Sequence, residues 1–104
     1  MSYDRSDQLA KLQRRIPVSN QEGEDLLDSA DEIIMQRRFP YEEWPDEIEK
    51  RYYGTEIRIA IALYNKIGAE GEKSHTENGV ARVYGAENVP TDLLAEIIPK
   101  ARIL

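Results

Sequence analysis

The stretch IRIAIALYNKI, residues 57–67, decides the fold class of this chain. Its first three isoleucines alternate with other residues, a spacing that could be read as a strand. Its alanines, its Leu63 and the absence of proline between Pro45 and Lys66 favour a helix instead. Such a helix is apolar on nearly every side, so we expect its neighbours to bury more than one face. Gly68 follows as a suitable helix terminator.

A short first helix is predicted near the N-terminus. Either Asp4 or Ser6 can cap it, and it ends near Arg15, before Pro17. The basic residues of its last turn suit a helix C-terminus. Its apolar residues recur at helical spacing and are Leu9, Leu12 and Ile16.

A second helix is predicted over about residues 22–37. Ser19 and Glu22 have the spacing of a capping box, and Phe39-Pro40 stops the helix after two arginines in its last turn. Its acidic residues lie largely opposite its apolar stripe, so the helix is amphipathic. The stripe consists of Leu26, Leu27, Ala30, Ile33 and Ile34.

A proline-bounded connection, PYEEWP at residues 40–45, leads into the central helix. Its second proline can occupy the first turn of that helix. Gly54 weakens the helix interior and indicates a close contact or a kink. A last short helix is predicted within VPTDLLAEIIPK, residues 89–100, where Pro90 opens it and Pro99 ends it.

These patterns predict an all-α fold, a single domain over residues 1–104. The fold is a small bundle of about four helices with a long loop or β-hairpin excursion, residues 68–90, between the last two helices. Asn78-Gly79 favours a two-residue hairpin turn. The arms beside it hold too little apolar surface for a stable isolated hairpin. We therefore expect a mobile loop that becomes ordered against neighbouring protein.

Catalysis and metal binding are not predicted for the excursion. Ser74 and His75 are adjacent, and adjacent residues of an extended chain point to opposite sides, so they do not form a nucleophile–base pair with Glu77. The chain has no second histidine and no cysteine to complete a metal site around His75. Residues 71–74, GEKS, depart from the phosphate-binding loop pattern. We predict a protein that is not an enzyme and has no cofactor.

Composition is that of a soluble domain, with 40% hydrophobic and 33% charged residues. No apolar run approaches membrane-spanning length, and no signal-peptide core is present, so synthesis in the cytosol is expected. The net charge of −6 is concentrated in residues 21–50, which hold eleven acidic and three basic residues. Such a block repels nucleic acid over long range, although a solvated helix face is the plainer reading.

Self-association would resolve two features at once. The central helix has more apolar surface than a four-helix domain readily covers, and the 68–90 excursion lacks the residues to hold its own shape. Neighbouring copies could cover the apolar surface of the central helix and support the excursion. In dilute solution we expect a monomer or a weak oligomer, with ring formation driven by a template.

Several motifs resemble those of the small phage head–tail connector, or adaptor, proteins. The resemblance spans most of the chain and includes the Leu-Leu-x-x-Ala-x-x-x-Ile pattern of the second helix. The remaining motifs are Arg-Arg-Phe-Pro at 37–40, Tyr-Asn-Lys-x-Gly-Ala-Glu-Gly at 64–71, Ser-His-x-Glu-Asn-Gly at 74–79, Arg-x-Tyr at 82–84 and Leu-Leu-x-x-Ile-x-Pro-Lys at 93–100.

The resemblance implies a non-enzymatic virion structural protein of a phage or prophage, located in the neck between head and tail. Its partners would be further copies in a ring, usually dodecameric, the portal protein and the next neck or tail-completion protein. DNA would be only cargo in the channel, and no membrane is involved. We expect the subunit or partner contacts within the excursion, at Ser74, His75, Glu77, Asn78, Gly79, Arg82 and Tyr84.

Two other readings remain open. The first is a small helical DNA-binding regulator, which the net charge of −6 and the lack of a basic recognition helix disfavour. Salt-dependent DNA binding would favour it. The second is a helical enzyme subunit with residues 68–90 as an active-site lid, which a loss of activity on changing His75 alone would favour.

Overall fold

A computed structural model of the chain describes residues 3–70 and 86–100. It has four α-helices and no strand among these residues, which confirms the all-α prediction. The helices are α1 (Arg5–Gln13), α2 (Asn20–Arg38), α3 (Tyr53–Glu70) and α4 (Thr91–Leu94), with 3₁₀ turns at Lys50–Tyr52 and Ala86–Asn88.

The predicted caps of the first two helices are present. Asp4 caps α1, since its side chain accepts a hydrogen bond from the backbone N–H of Asp7 at 3.2 Å. At α2, the Ser19 hydroxyl accepts from the Glu22 N–H at 3.1 Å, and the Glu22 carboxylate accepts from the Ser19 N–H at 3.0 Å. This reciprocal pair satisfies two backbone donors that a helix start otherwise leaves free.

The central helix α3 packs against each of the other three helices and both 3₁₀ turns. This confirms the prediction that α3 is buried on more than one face. Ile59, Ala60 and Leu63 of α3 are completely buried. They meet a core whose other fully or almost fully buried members are Leu12, Leu26, Leu27, Ala30, Ile34 and Ile97.

Helix boundaries differ from the prediction around α3. Residues 40–49 contain no helix, so the helix does not open at Pro45 but follows the 3₁₀ turn. Gly54 is therefore in the first turn, where a Cβ would meet only a terminal nitrogen of Arg58 at 3.4 Å. At the other end, α3 continues past Gly68 to Glu70. Residues 71–85, the greater part of the predicted loop or hairpin, lie outside the described residues.

Two arginines at the end of α2 hold the C-terminal segment in place. Arg37 Nε donates to the Leu94 carbonyl at 3.1 Å, and Arg38 Nη1 donates to the Ile98 carbonyl at 2.8 Å. The Arg38 carbonyl accepts from the Lys100 N–H at 2.7 Å. These bonds hold the C-terminal segment, including the short helix α4, against the end of α2.

Truncation of Leu63 to alanine should destabilise the fold by about 2–5 kcal/mol, because a fully buried leucine leaves a cavity. The matched control is Ile98→Ala, since Ile98 is 59% exposed and its truncation should cost less than about 0.5 kcal/mol. Urea unfolding followed by circular dichroism measures both. Equal losses in the two variants would contradict the packing described.

Candidate functional site

The contact residues predicted from sequence lie outside the part of the chain that the structure describes. They are Ser74, His75, Glu77, Asn78, Gly79, Arg82 and Tyr84. Within the described residues, three other features concentrate polar or charged side chains. One is a buried carboxyl cluster between α1, α2 and α3, and the other two are surface grooves of opposite charge.

The buried cluster is centred on Glu56, in the first turn of α3, which has no exposed surface. The Tyr3 hydroxyl lies 2.9 and 2.8 Å from its two carboxyl oxygens, and Gln8 Nε2 donates to Oε1 at 2.7 Å. Sequence reasoning missed this residue. The helical spacing could have indicated its burial. Glu56 precedes Ile59, Ala60 and Leu63 by three, four and seven positions and so shares their buried face.

Asp31 of α2 indicates that Glu56 carries a proton. Its Oδ2 accepts from Arg5 Nη2 at 2.9 Å, but its Oδ1 is buried and lacks a partner when Glu56 is ionised. Burial raises the pKa of Glu56 to about 9, and a hydrogen bond with Asp31 and the charge of Asp31 add to the effect. A proton on Glu56 would supply the donor that this oxygen otherwise lacks.

Arg5 extends the cluster to the surface of α2. Besides Asp31, its guanidinium contacts Glu24 at 2.9 Å and Asp28 at 2.8 Å, and its Nε donates to the Tyr3 hydroxyl at 2.9 Å. Burial raises the pKa of Tyr3, and the hydrogen bond that its hydroxyl donates to Glu56 raises it further, so the phenol stays protonated. The cluster therefore ties the N-terminus to α2 and α3, and because Glu56 is enclosed we assign it a role within the fold.

A basic groove of about 410 Å³ lies between α1 and α3. Two of its cations are paired, Lys11 with Asp7 at 3.2 Å and Arg58 with Glu96. Arg14 and Arg15 are exposed, and neither side chain forms an ion pair with the described residues. The groove is lined by Gln8, Lys11, Arg14, Arg15, Tyr53, Gly54, Ile57 and Arg58, with no acidic residue among them.

An acidic groove of about 410 Å³ lies between α2 and the 40–46 connection. Asp28 and Asp31 are held by Arg5, whereas Glu32 and Asp46 are exposed and form no ion pair within the described ranges. Trp44 is 44% exposed at this groove. The remaining lining residues are Ser29, Met35 and Pro45, and the lining includes no basic residue.

Each groove includes one side chain of the buried cluster. The two grooves share no lining residue. Gln8, which lines the basic groove, donates to Glu56, and Asp31, which lines the acidic groove, hydrogen-bonds with the same carboxyl. Both grooves thus border side chains that contact one buried carboxyl group.

Comparison with known protein families, curated proteins and solved structures gave no match. Among the described residues, no set of three or more histidine and acidic side chains is placed to hold a metal ion. The helices described include none that is both long enough and apolar enough to cross a membrane.

Replacing Glu56 with glutamine should flatten the pH dependence of stability. The folded chain holds the Glu56 proton until the pH nears its raised pKa of about 9, whereas the unfolded chain releases it near the ordinary value of 4.5. The folded state thus binds more protons between these values. Its unfolding free energy falls as pH rises, by at most about 1.4 kcal/mol per pH unit.

Glutamine keeps the shape of the protonated side chain, donates to Asp31 and does not titrate. Urea unfolding of the Glu56→Gln variant between about pH 5 and about pH 9 should therefore show a shallower fall than the native chain. Glu32→Gln removes an exposed carboxyl and serves as the control. The same slope in native chain and Glu56→Gln would show that Glu56 is ionised in the folded state.

Proposed function

We propose that this chain is a phage virion structural protein, a head–tail connector or adaptor. It forms a ring below the portal, extends the DNA channel and joins the capsid to the tail. Its partners are further copies of itself, the portal protein and the next neck or tail-completion protein. The proposal starts from the motifs that resemble this family and gains support from where the described motifs lie in the fold.

Two of those motifs, distant in sequence, contact each other. The Arg-Arg-Phe-Pro segment at 37–40 bonds the Leu-Leu-x-x-Ile-x-Pro-Lys segment at 93–100 through both arginines and through the Arg38 carbonyl. The Lys100 ammonium also lies 6.0 Å from the centre of the Phe39 ring, a cation–π distance. The 37–40 and 93–100 motifs, which resemble the same family, therefore form one structural unit. This contact is the observation that carries the proposal.

The surface is suited to assembly with other proteins. Tyr41, Trp44 and Ile98 are large apolar residues that are 62%, 44% and 59% exposed. Aromatic residues at the surface supply contact area at low entropic cost, and they are enriched in protein interfaces. Tyr41 and Trp44 both belong to the connection that follows the Arg-Arg-Phe-Pro segment.

The charge of the chain is compatible with a channel that DNA passes through without binding. A net charge of −6 makes the surface repulsive to phosphates over a Debye length of about 10 Å. In a ring of many copies the repulsion from each copy adds to that of the others, so DNA can slide through the channel without adhering to its wall. DNA is cargo in this proposal and not a ligand.

A second candidate is a small helical DNA-binding regulator. The observation that favours it is the basic groove, where Arg14 and Arg15 carry charges that no described residue compensates. Binding of the isolated chain to duplex DNA, weakening steeply with salt, would support the regulator and contradict the connector. Fluorescence anisotropy with a labelled duplex of mixed sequence measures it.

A ring should assemble when the chain is mixed with the portal protein encoded by the same phage or prophage genome. Native mass spectrometry and negative-stain electron microscopy should show the chain bound as a multi-copy ring on the portal oligomer. Arg82→Ala combined with Tyr84→Ala should reduce ring occupancy without lowering the melting temperature, because these side chains are proposed to contact neighbours.

Arg51→Ala, at an exposed arginine whose nearest carboxylate is 3.8 Å away, is the matched control and should leave occupancy unchanged. A portal that binds no copy of the chain at any ratio would contradict the proposed function. Unchanged occupancy in the double variant would remove Arg82 and Tyr84 from the contact but leave the ring intact.

A further inference from the structure

We propose that the basic groove of one copy binds the acidic groove of the next, in a head-to-tail contact between identical chains. The inference rests on the proposed function, since a ring requires a repeated contact between copies. It goes beyond that function because it assigns the two surfaces that meet, both of them outside the predicted contact segment at residues 74–84.

The charges of the two grooves are complementary and partly uncompensated within one chain. Arg14 and Arg15 form no ion pair with any described residue, and the same is true of Glu32 and Asp46. All four side chains are exposed, so each is free to meet a charge on another molecule. Surfaces of opposite sign that approach each other raise the association rate and fix the register of a contact.

The acidic groove also offers an aromatic side chain to the cations of the basic groove. Each groove has a volume of about 410 Å³. Trp44, 44% exposed, lies at the acidic groove, and the basic groove offers three arginines and a lysine. A guanidinium or ammonium group over an indole ring gives a cation–π contact, which is stronger for tryptophan than for the other aromatics. Trp44 is therefore the apolar anchor of the contact, surrounded by ion pairs.

Two different complementary surfaces on each copy permit a head-to-tail contact. The grooves have no lining residue in common, and each includes one side chain of the Glu56 cluster, Gln8 or Asp31. When two different surfaces of identical chains meet, each copy keeps one surface of each kind free for the next copy. Such a contact propagates, and it closes into a ring if the rotation between copies divides a full turn.

A second copy suits the basic groove better than nucleic acid does. The chain as a whole is negative, at −6, and the groove offers two uncompensated cations, whereas specific DNA binding draws on a larger basic surface. An acidic groove of equal volume is present on every copy at the same concentration. Binding of DNA to the basic groove is nevertheless kept as an outcome of the test.

Charge reversal tests the contact directly. The variant Arg14→Glu with Arg15→Glu replaces the two unpaired positive charges of the basic groove with negative ones. The variant Glu32→Lys with Asp46→Lys replaces the two unpaired negative charges of the acidic groove with positive ones. Sedimentation velocity over a concentration series at low salt should show self-association of the native chain. Each double variant should lose it by about 100-fold in association constant, because like charges then face each other.

Two further samples decide the test: a mixture of the two double variants, and a chain that carries all four substitutions. An equimolar mixture of the two double variants should associate, since each retains one native groove that matches a native groove of the other. A chain carrying all four substitutions should also recover self-association, because the four exchanged side chains again face opposite charges. Raising NaCl from about 0.05 M to about 0.5 M should weaken every one of these contacts.

Matched controls separate this contact from a general effect of net charge. Lys50→Glu with Arg51→Glu shifts the net charge as much as the arginine pair does, and Glu87→Lys with Asp92→Lys matches the acidic pair. All four control residues are exposed and outside both grooves. The controls should associate like the native chain, and each variant should melt as the native chain does.

The outcomes separate this inference from the proposed function. A native chain that stays monomeric at every concentration, mixed variants that fail to associate, or controls that lose association equally would each overturn the groove contact. DNA binding abolished by the arginine pair while self-association persists would overturn it too. If that pair still forms rings on the portal, the connector stands and the groove contact does not. If groove-dependent association occurs but no portal binds, the contact stands and the connector does not.

Discussion

The burial of one carboxyl group constrains the arrangement of the first three helices. Glu56 is completely buried in the first turn of α3, where an isolated charge would be far less stable than in water. The fold meets this with a proton on Glu56 and with polar partners from two other parts of the chain, Tyr3 and Gln8 from the N-terminal region and Asp31 from α2. Each partner is fixed in place by the need to satisfy this one group, so the cluster sets the register of α1 and α2 on α3.

Hydrogen bonds and ion pairs stabilise the two ends of α2, and apolar packing stabilises the core between them. At the cluster, Arg5 joins three acidic residues of α2, and the partial burial of its side chain reduces the screening that weakens surface ion pairs. At the other end of α2, Arg38 donates to the Glu49 carboxylate and to the Ile98 carbonyl of the C-terminal segment. Between them the core is apolar, with Leu27 and Leu63 completely buried. A partly buried arginine thus links neighbouring segments at each end of α2.

Patterns within short stretches of sequence predicted the features that depend on interactions between residues close in sequence. The four helices, the Ser19 capping box and the buried faces follow from apolar spacing and from side chains within four residues of each other. The late start of α3 could not be predicted, because residues 46–52 take their shape from distant contacts such as the Tyr52 hydroxyl, which accepts from the Ile98 N–H at 3.2 Å. The Glu56 cluster was missed for the same reason, since Tyr3 is 53 positions away. The two grooves, too, exist only once helices are packed side by side.

A ring needs more than two complementary surfaces, because the angle between them determines whether copies close or grow without end. In the proposed head-to-tail contact that angle is the angle between the basic and the acidic groove of one chain. Gln8 and Asp31, one on the lining of each groove, both bond Glu56, so the buried cluster joins the two surfaces through three hydrogen-bonded side chains. Such a network holds its members more rigidly than apolar contacts do, since each bond has a preferred distance and direction. A polar group buried at some cost in stability thereby sets the relative orientation of the two surfaces on which closure of a ring would depend.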